Sequence, residues 1–269
     1  MLINKVLWSA VEIISTRVIQ LAITVVLARL LTPEDFGLIA LVMVFISLSQ
    51  VMVDGGLSAA IIRKNELSET QISTAFYMNA MLALFIYTIV YLLSPIFAEI
   101  AGDDRLNNVL RVVGLVLIIN VANFVPRALF TRDMDYKNLG KSSILGAILS
   151  GSVAIFLAND GFGYWSLVVQ TLVMNLVCAL VLNLCSNQNR YRNFDLTEAK
   201  ELFGYGYKIL ISGLVEVLFK NIYIVLISKN YTSREVGLFS QSERLASISI
   251  ISFTQNLTEG QFSSYGESQ

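Results

Sequence analysis

The sequence predicts an all-α integral membrane protein of about eight transmembrane helices: one complete six-helix lobe and the first two helices of a second. Three observations lead there. Apolar residues make up 55% of the 269 residues and charged residues only 14%, with a mean hydropathy of +0.65. Soluble domains carry roughly 25% charged residues, so this chain lacks the charge to coat a water-facing surface. The apolar residues gather into eight segments, each near the roughly 20 residues that a helical crossing needs. A ten-residue motif at the first joint also returns later in the chain.

The first segment lies near 6–31. Glu12 and Arg17 interrupt it and no small-residue cleavage site follows, so it is expected to remain in the mature protein instead of acting as a secretory signal. Thr32 and Pro33 then suit the start of the second segment, near 36–62, because a proline at the first helical position has its φ already set. Segments three to six lie near 72–98, 106–130, 139–158 and 162–186, joined by short polar connections at 63–70, 102–105, 131–138 and 159–161. Pro95 and Pro126 are read as lying near segment ends, where a missing N–H costs least. The connection at 187–206 is longer and holds an amphipathic helix around 195–203. Segments seven and eight follow near 207–229 and 237–257. Helices are the natural reading, since lipid satisfies no backbone polar group. The alternating ten-residue strands of a membrane barrel are absent from the sequence.

Lysine and arginine counts set the orientation. With the N-terminus inside, the inner face receives Lys5, Arg63, Lys64, Arg127, Arg132, Lys137, Lys141, Arg190, Arg192, Lys200 and Lys208. The outer face receives Arg29, Arg105, Lys229 and Arg234. This asymmetry predicts a cytoplasmic N-terminus.

The formal net charge is −1 and the 19 basic residues are scattered, which gives no signal for nucleic acid. Histidine is absent, and with it the commonest general base and metal ligand. Cys178 and Cys185 fit no zinc spacing and read as small apolar side chains. No enzyme activity, metal or cofactor is expected.

The motif LLTPEDFGLI at 30–39 aligns with NYTSREVGLF at 230–239. Thr32 matches Thr232, Asp35 matches Glu235, Gly37 matches Gly237 and Leu38 matches Leu238. Both copies join an odd-numbered span to the next. Six spans separate them, and an even number restores orientation, so the repeats are parallel, about an axis along the membrane normal. The expected organisation is a first lobe at 1–186, a linker at 187–206, the start of a second lobe at 207–258, and a tail at 259–269.

The stretch LARLLTPEDFGLIALVMVFISLSQVMVDGGLSAAIIRK (27–64) resembles the opening helix pair of bacterial Wzx-like polysaccharide flippases, of the multidrug/oligosaccharidyl-lipid/polysaccharide superfamily. VPRALFTRDMDYKNLG (125–140), GFGYWSLVVQ (161–170) and VGLFSQSERLAS (236–247) are similar to that group too. The resemblance implies two six-helix lobes around a central cavity. It further implies alternating access that carries a lipid-pyrophosphate-linked oligosaccharide, of polyprenyl pyrophosphate type, to the outer leaflet. Partners would be that lipid, the bilayer and other polysaccharide-assembly proteins. The tail EGQFSSYGESQ (259–269) departs from the family's apolar continuation and is expected to reflect a frameshift, leaving the second lobe unfinished.

Ionisable residues at membrane depth are functional candidates. In span one, Ser9, Glu12, Thr16, Arg17, Gln20 and Thr24 share an arc of about 140° at helical spacing. Span seven carries Lys208, Ser212, Glu216, Lys220 and Tyr223 on one face, with Glu216 and Lys220 in the favourable i,i+4 order for an ion pair. Span eight aligns Ser240, Arg244 and Ser247. These stripes are expected to line a water-filled cavity between the lobes. Arg17, Lys220 and Arg244 would attract the pyrophosphate, with Glu12, Gln20 and Glu216 beside them. With Asp54 and Glu243 counted, acids outnumber bases there, so the cavity is charged without being clearly positive. Asp54, Gly55 and Gly56 are read as close helix packing, or else as an ion or hinge position. The rival functions are a cation-coupled drug exporter of the same superfamily, a membrane polymerase or glycosyltransferase, and a non-transporting fragment. The short outer connections argue against the enzyme.

Overall fold

Segments one to seven all form helix. The computed structural model describes residues 2–64, 67–186, 193–230 and 232–243. Among these, the helices are α1 (Leu2–Leu30), α2 (Pro33–Asp54), α3 (Leu57–Arg63), α4 (Glu69–Ala101), α5 (Arg105–Val113), α6 (Leu115–Arg132), α7 (Tyr136–Asn159), α8 (Trp165–Cys185) and α9 (Leu196–Asn230). A further helical run covers 233–243.

Six stretches are long and apolar enough to cross a membrane: Pro33–Asp54, Glu69–Ala101, Arg105–Arg132, Tyr136–Asn159, Trp165–Cys185 and Gly206–Ser228. The chain is therefore an all-α, multi-pass membrane protein. With 29 residues, α1 also has spanning length, about 44 Å at 1.5 Å per residue. Most of the predicted eighth segment, 237–257, lies outside the described residues. The outward face of α4 leaves Met81, Leu84, Phe85, Leu92 and Ile100 exposed. Such a ridge would be an aggregation hazard in water, whereas lipid tails cover it.

The helices neighbour one another in a chain of contacts: α1 on α7, α7 on α8, α8 on α6, α5 and α6 on α4, and α4 on α2. Lipid is as apolar as leucine, so helix association here needs close packing, and small residues supply it. The buried face of α7 is made of Gly140, Ser142, Gly146, Ala147, Ser150, Gly151, Ala154 and Ala158, which brings its backbone close to both neighbours. A Cβ on Gly146 would crowd Met174 and Cys178 of α8, and one on Gly151 would collide with Ile23 of α1.

Two sequence boundaries need correction. The segment read at 36–62 is broken, because Gly55 (φ 56°) and Gly56 (φ 75°) are both left-handed and separate α2 from α3. The amphipathic stretch at 195–203 is no separate element; it is the first part of the 35-residue α9. Asp195 precedes it and accepts from the Thr197 N–H at 2.7 Å, which holds its carboxyl below the usual range. That part of α9 docks on α3, α4 and α6. Lys64 lies 3.0 Å from Glu201, Gln71 donates to Glu198 at 2.8 Å, and Leu202 is buried with Leu57, Ile61 and Phe124.

Pro95 and Pro126 also lie inside helices, not at segment ends. Each removes the N–H that would bond the carbonyl four residues earlier. In lipid that carbonyl needs another donor, and both have one. The Ser94 hydroxyl donates to the Tyr91 carbonyl at 2.8 Å, and the Asn183 amide of α8 donates to the Ala122 carbonyl at 2.8 Å. Asn183 thus repairs α6 from a neighbouring helix. Asn183→Leu should destabilise the protein in detergent by about 1–2 kcal/mol. Pro126→Ala returns an N–H to Ala122, so the same change in that background should be near neutral. Equal losses in the two backgrounds, read from thermal unfolding midpoints, would refute the repair.

Candidate functional site

The two copies of the repeated motif meet face to face. Each builds the same cap. Asp35 accepts from the Thr32 N–H at 3.0 Å and the Thr32 hydroxyl at 2.8 Å, while Glu235 accepts from the Thr232 N–H at 2.8 Å and its hydroxyl at 3.0 Å. Both satisfy otherwise orphaned donors at a helix start. Immediately beyond the caps the helices cross at glycine. A Cβ on Gly37 would collide with the Ser233 carbonyl, and a Cβ on Gly237 would collide with the Pro33 carbonyl. Pro33 and Ser233 are themselves equivalent positions of the repeat, so the contact is reciprocal. Glu34 and Arg234, a third equivalent pair, approach to 3.8 Å, though this exposed bridge adds little stability.

From this crossing α9 runs back along α2 to the opposite end. Gly213 packs on Val51, and the Gly206 backbone closes on Gly55 and Gly56. Near the crossing, a small cavity of about 160 Å³ lies between Ala40 and Met43 of α2, Gln170 of α8, Asn221 of α9, and Ser240 and Glu243.

A larger cavity, about 470 Å³, sits between α2, α3, α4, α6 and α8. Ile62 and Thr131 line it, each next to the C-terminal end of its helix. Asn120 lies twelve residues before the end of α6, about 18 Å further along the helix, so the cavity extends to the middle of the apolar stretch Arg105–Arg132. Its polar wall includes Gln50, Asp54, Asn79, Asn123, Arg127 and Asn175. Asp54 accepts from the Ser58 hydroxyl and from the Gly56 N–H at 3.2 Å. Asn79 donates to the Val53 carbonyl at 3.0 Å, and Asn123 to the Asn175 carbonyl at 3.2 Å. Both asparagines are buried, at 3% and 5% exposure, and the Oδ1 atom of each has no partner. Because each Nδ2 faces a carbonyl, which can only accept, the amide orientation is determined and the orphan atom is the oxygen.

The predicted residues fall at three places. Arg17 is exposed on α1 and Gln20 is half-buried there; for Glu12 only the helical backbone is described. Glu216 and Lys220 form the expected i,i+4 ion pair on the exposed side of α9, with side-chain exposures of 62% and 70%. Arg244 lies outside the described residues. Asp54, Gly55 and Gly56 stand together at the α2–α3 break, beside the larger cavity. No group of three His, Cys, Asp or Glu side chains able to hold a metal occurs among the described residues.

The family model for polysaccharide biosynthesis proteins matches residues 26–269. The chain belongs to this family. Among curated relatives, it is 26% identical over 242 residues to the succinoglycan biosynthesis transport protein ExoT of Rhizobium meliloti (strain 1021), covering 90% of this chain and 49% of ExoT. It is 22% identical over 270 residues to the teichuronic acid biosynthesis protein TuaB of Bacillus subtilis (strain 168), covering 95% and 53%. Against the lipopolysaccharide biosynthesis protein WzxC of Escherichia coli (strain K12) it is 20% identical over 268 residues, covering 97% and 54%. The chain spans about half the length of these relatives. No solved structure gives a significant match.

Asn79 and Asn123 were not singled out from the sequence of this family member. Ionisable groups at membrane depth stand out by their charge, and a neutral carboxamide in an apolar run has none. A signal existed: Asn120, Asn123 and Arg127 recur at i, i+3 and i+7, one face of α6.

The break beside them is testable. A Cβ on Gly55 would meet only ordinary contacts, whereas one on Gly56 would enter the Gly206 backbone. Gly55→Ala should cost about 1–2 kcal/mol for its left-handed backbone alone, and Gly55→Asn less, since asparagine tolerates that region. Gly56→Ala should cost more than Gly55→Ala. Thermal unfolding of the three variants in detergent measures the order.

Proposed function

We propose that this chain acts in translocating a lipid-pyrophosphate-linked oligosaccharide from the cytoplasmic to the outer leaflet of a bacterial inner membrane, for export of a surface polysaccharide. It is a transport protein and not an enzyme. The reading is supported by the family membership, by the transport function in ExoT's own name and above all by the reciprocal crossing of the two motif copies. Residues 1–186 form the first lobe, and α9 with the helix after it begins the second. About eight spans in all and a cytoplasmic N-terminus belong to the same proposal.

In alternating access two lobes rock about a shared contact. The Gly37–Gly237 crossing is such a contact at the outer end, where backbone meets backbone without long side chains to disengage. The charged stripes would then face the substrate path. Arg17, Lys220 and Arg244 provide donors for the pyrophosphate oxygens. Glu12, Gln20 and Glu216 hold those side chains in place, as Glu216 holds Lys220. Asp54, Gly55 and Gly56 form a hinge at the inner end against Gly206.

The test is reconstitution. Vesicles containing this chain should move a labelled lipid-linked oligosaccharide across the bilayer faster than protein-free vesicles. Arg17→Gln, Lys220→Gln and Arg244→Gln should each lower that rate at least about tenfold, the equivalent of one lost charge-assisted contact. No acceleration by the parent chain would overturn transport by this polypeptide. Full rates in all three variants would overturn the pyrophosphate contact.

A further inference from the structure

We infer that a bilayer phospholipid with an anionic head group binds at the lipid-facing junction of α4 and α5, its phosphate on Arg111 and one acyl chain in the groove that follows. This concerns the membrane around the protein and does not rest on the transport reading. None of the residues assigned there to the pyrophosphate lies on α4 or α5.

Arg111 is held in place without being neutralised. Its Nε donates to the Ser94 hydroxyl at 2.9 Å, and its Cζ lies over the Tyr91 ring, 4.4 Å from the centroid. Ser94 is in turn held between the Tyr91 carbonyl at 2.8 Å and the Asn107 carboxamide at 2.7 Å. The Tyr87 hydroxyl donates to the Arg111 carbonyl at 3.3 Å and ties this turn of α5 to α4. Among the described residues no carboxylate pairs with Arg111, and its terminal nitrogens have no hydrogen-bond partner. At the start of α5, Arg105 is taken by Asp103 at 2.7 Å. Asp104 stands seven residues before Arg111, about 10 Å along the helix.

Depth decides which anion can reach it. The stretch Arg105–Arg132 has 28 residues, about 42 Å at 1.5 Å per residue, which matches a bilayer with its head groups. Arg111 is about 9 Å in from the start of that stretch, near the level where head groups meet tails, given a hydrocarbon core of about 30 Å. Ionisable side chains at such depth pair with something, and here the opposite charge comes from outside the protein. The face is open to lipid: Tyr91 is 42% exposed, and Asn108 and Leu115, on the same side of the helix as Arg111, are exposed too. A guanidinium with free edges matches two phosphate oxygens at once.

An apolar groove of about 410 Å³ continues from this point. Phe76, Ala80 and Leu84 of α4, Ile118 and Ala122 of α6, and Asn183 of α8 line it. The Asn183 amide is already occupied by the Ala122 and Ala179 carbonyls. Leu84 and Ala80 lie seven and eleven residues from Tyr91, as Ile118 and Ala122 do from Arg111. Both helices therefore place the groove about 10–16 Å from the guanidinium toward the bilayer centre, within the roughly 15 Å of one leaflet's tails. Free phosphate has no use for such a groove. A zwitterionic head group would bring an ammonium to a place where no carboxylate stands beside it, so an anionic one fits better.

The test is native mass spectrometry of the full chain in detergent, titrated with dioleoyl phosphatidylglycerol, dioleoyl phosphatidylcholine or inorganic phosphate. Phosphatidylglycerol should bind at least about tenfold tighter than phosphatidylcholine, and inorganic phosphate at equal concentration should not displace it. Arg111→Gln should lower phosphatidylglycerol affinity at least about tenfold, and Arg111→Lys, which keeps the charge without the paired donors, should fall between. Ala80→Phe should weaken binding of the dioleoyl lipid and leave that of dihexanoyl phosphatidylglycerol unchanged. Equal affinity of the parent chain for the two dioleoyl lipids overturns the proposal and needs no variant to fold. Displacement by inorganic phosphate would leave only an anion site and overturn the lipid. Unchanged affinity in Arg111→Gln overturns the head-group contact, and unchanged dioleoyl binding in Ala80→Phe overturns the acyl groove.

Discussion

A helix in lipid gains nothing from burying a leucine against another leucine, so its neighbours are chosen by how closely two backbones can approach. In this protein that approach is made at glycine and other small residues. Gly151 receives Ile23 and thereby seats α1, Gly146 seats α8, Gly56 and Gly206 seat the start of α9, and Gly37 and Gly237 bring the repeated caps into reciprocal contact. The last contact matters most, because it relates one half of the chain to the other. Had residue 37 or 237 carried a side chain, the capped helix starts could not have met and the repeat would have left no trace in space.

The second constraint is that lipid answers no hydrogen bond. It explains why polar side chains occur where they do. Ser94 and Asn183 supply the carbonyls that Pro95 and Pro126 leave bare, and Thr32 with Asp35 serves the first turn of α2. Against that record of repair, the unpartnered oxygens of Asn79 and Asn123 stand apart. The repaired carbonyls belong to Tyr91 and Ala122, both exposed residues, whereas these two oxygens are buried without a donor.

These two constraints also account for what could be read from the sequence. Apolar run length and polar joints locate segments one to seven, all of them helical, because bilayer thickness imposes a length on every crossing. The Thr32 cap, its echo at Thr232 and the Glu216–Lys220 pair were legible because each is local, formed within three or four residues. Errors came where a distant helix intervenes. Pro95 and Pro126 read as near helix ends, yet each lies inside a helix whose bare carbonyl takes a donor from a side chain, one of them on α8. The stretch at 195–203 read as a separate surface helix, while its apolar side actually packs on α3 and α6 through Leu202.

Composition and local spacing therefore determined by themselves that this is a helical membrane protein with a repeated cap, since hydropathy and capping act over one segment at a time. Tertiary structure decided which polar groups are satisfied and which are not. Asn183 and Asn123 look alike in the sequence, each an asparagine in an apolar run. Only the fold sets one against a bare carbonyl and buries the oxygen of the other without a donor, because a hydrogen-bond partner on another helix is a property of packing.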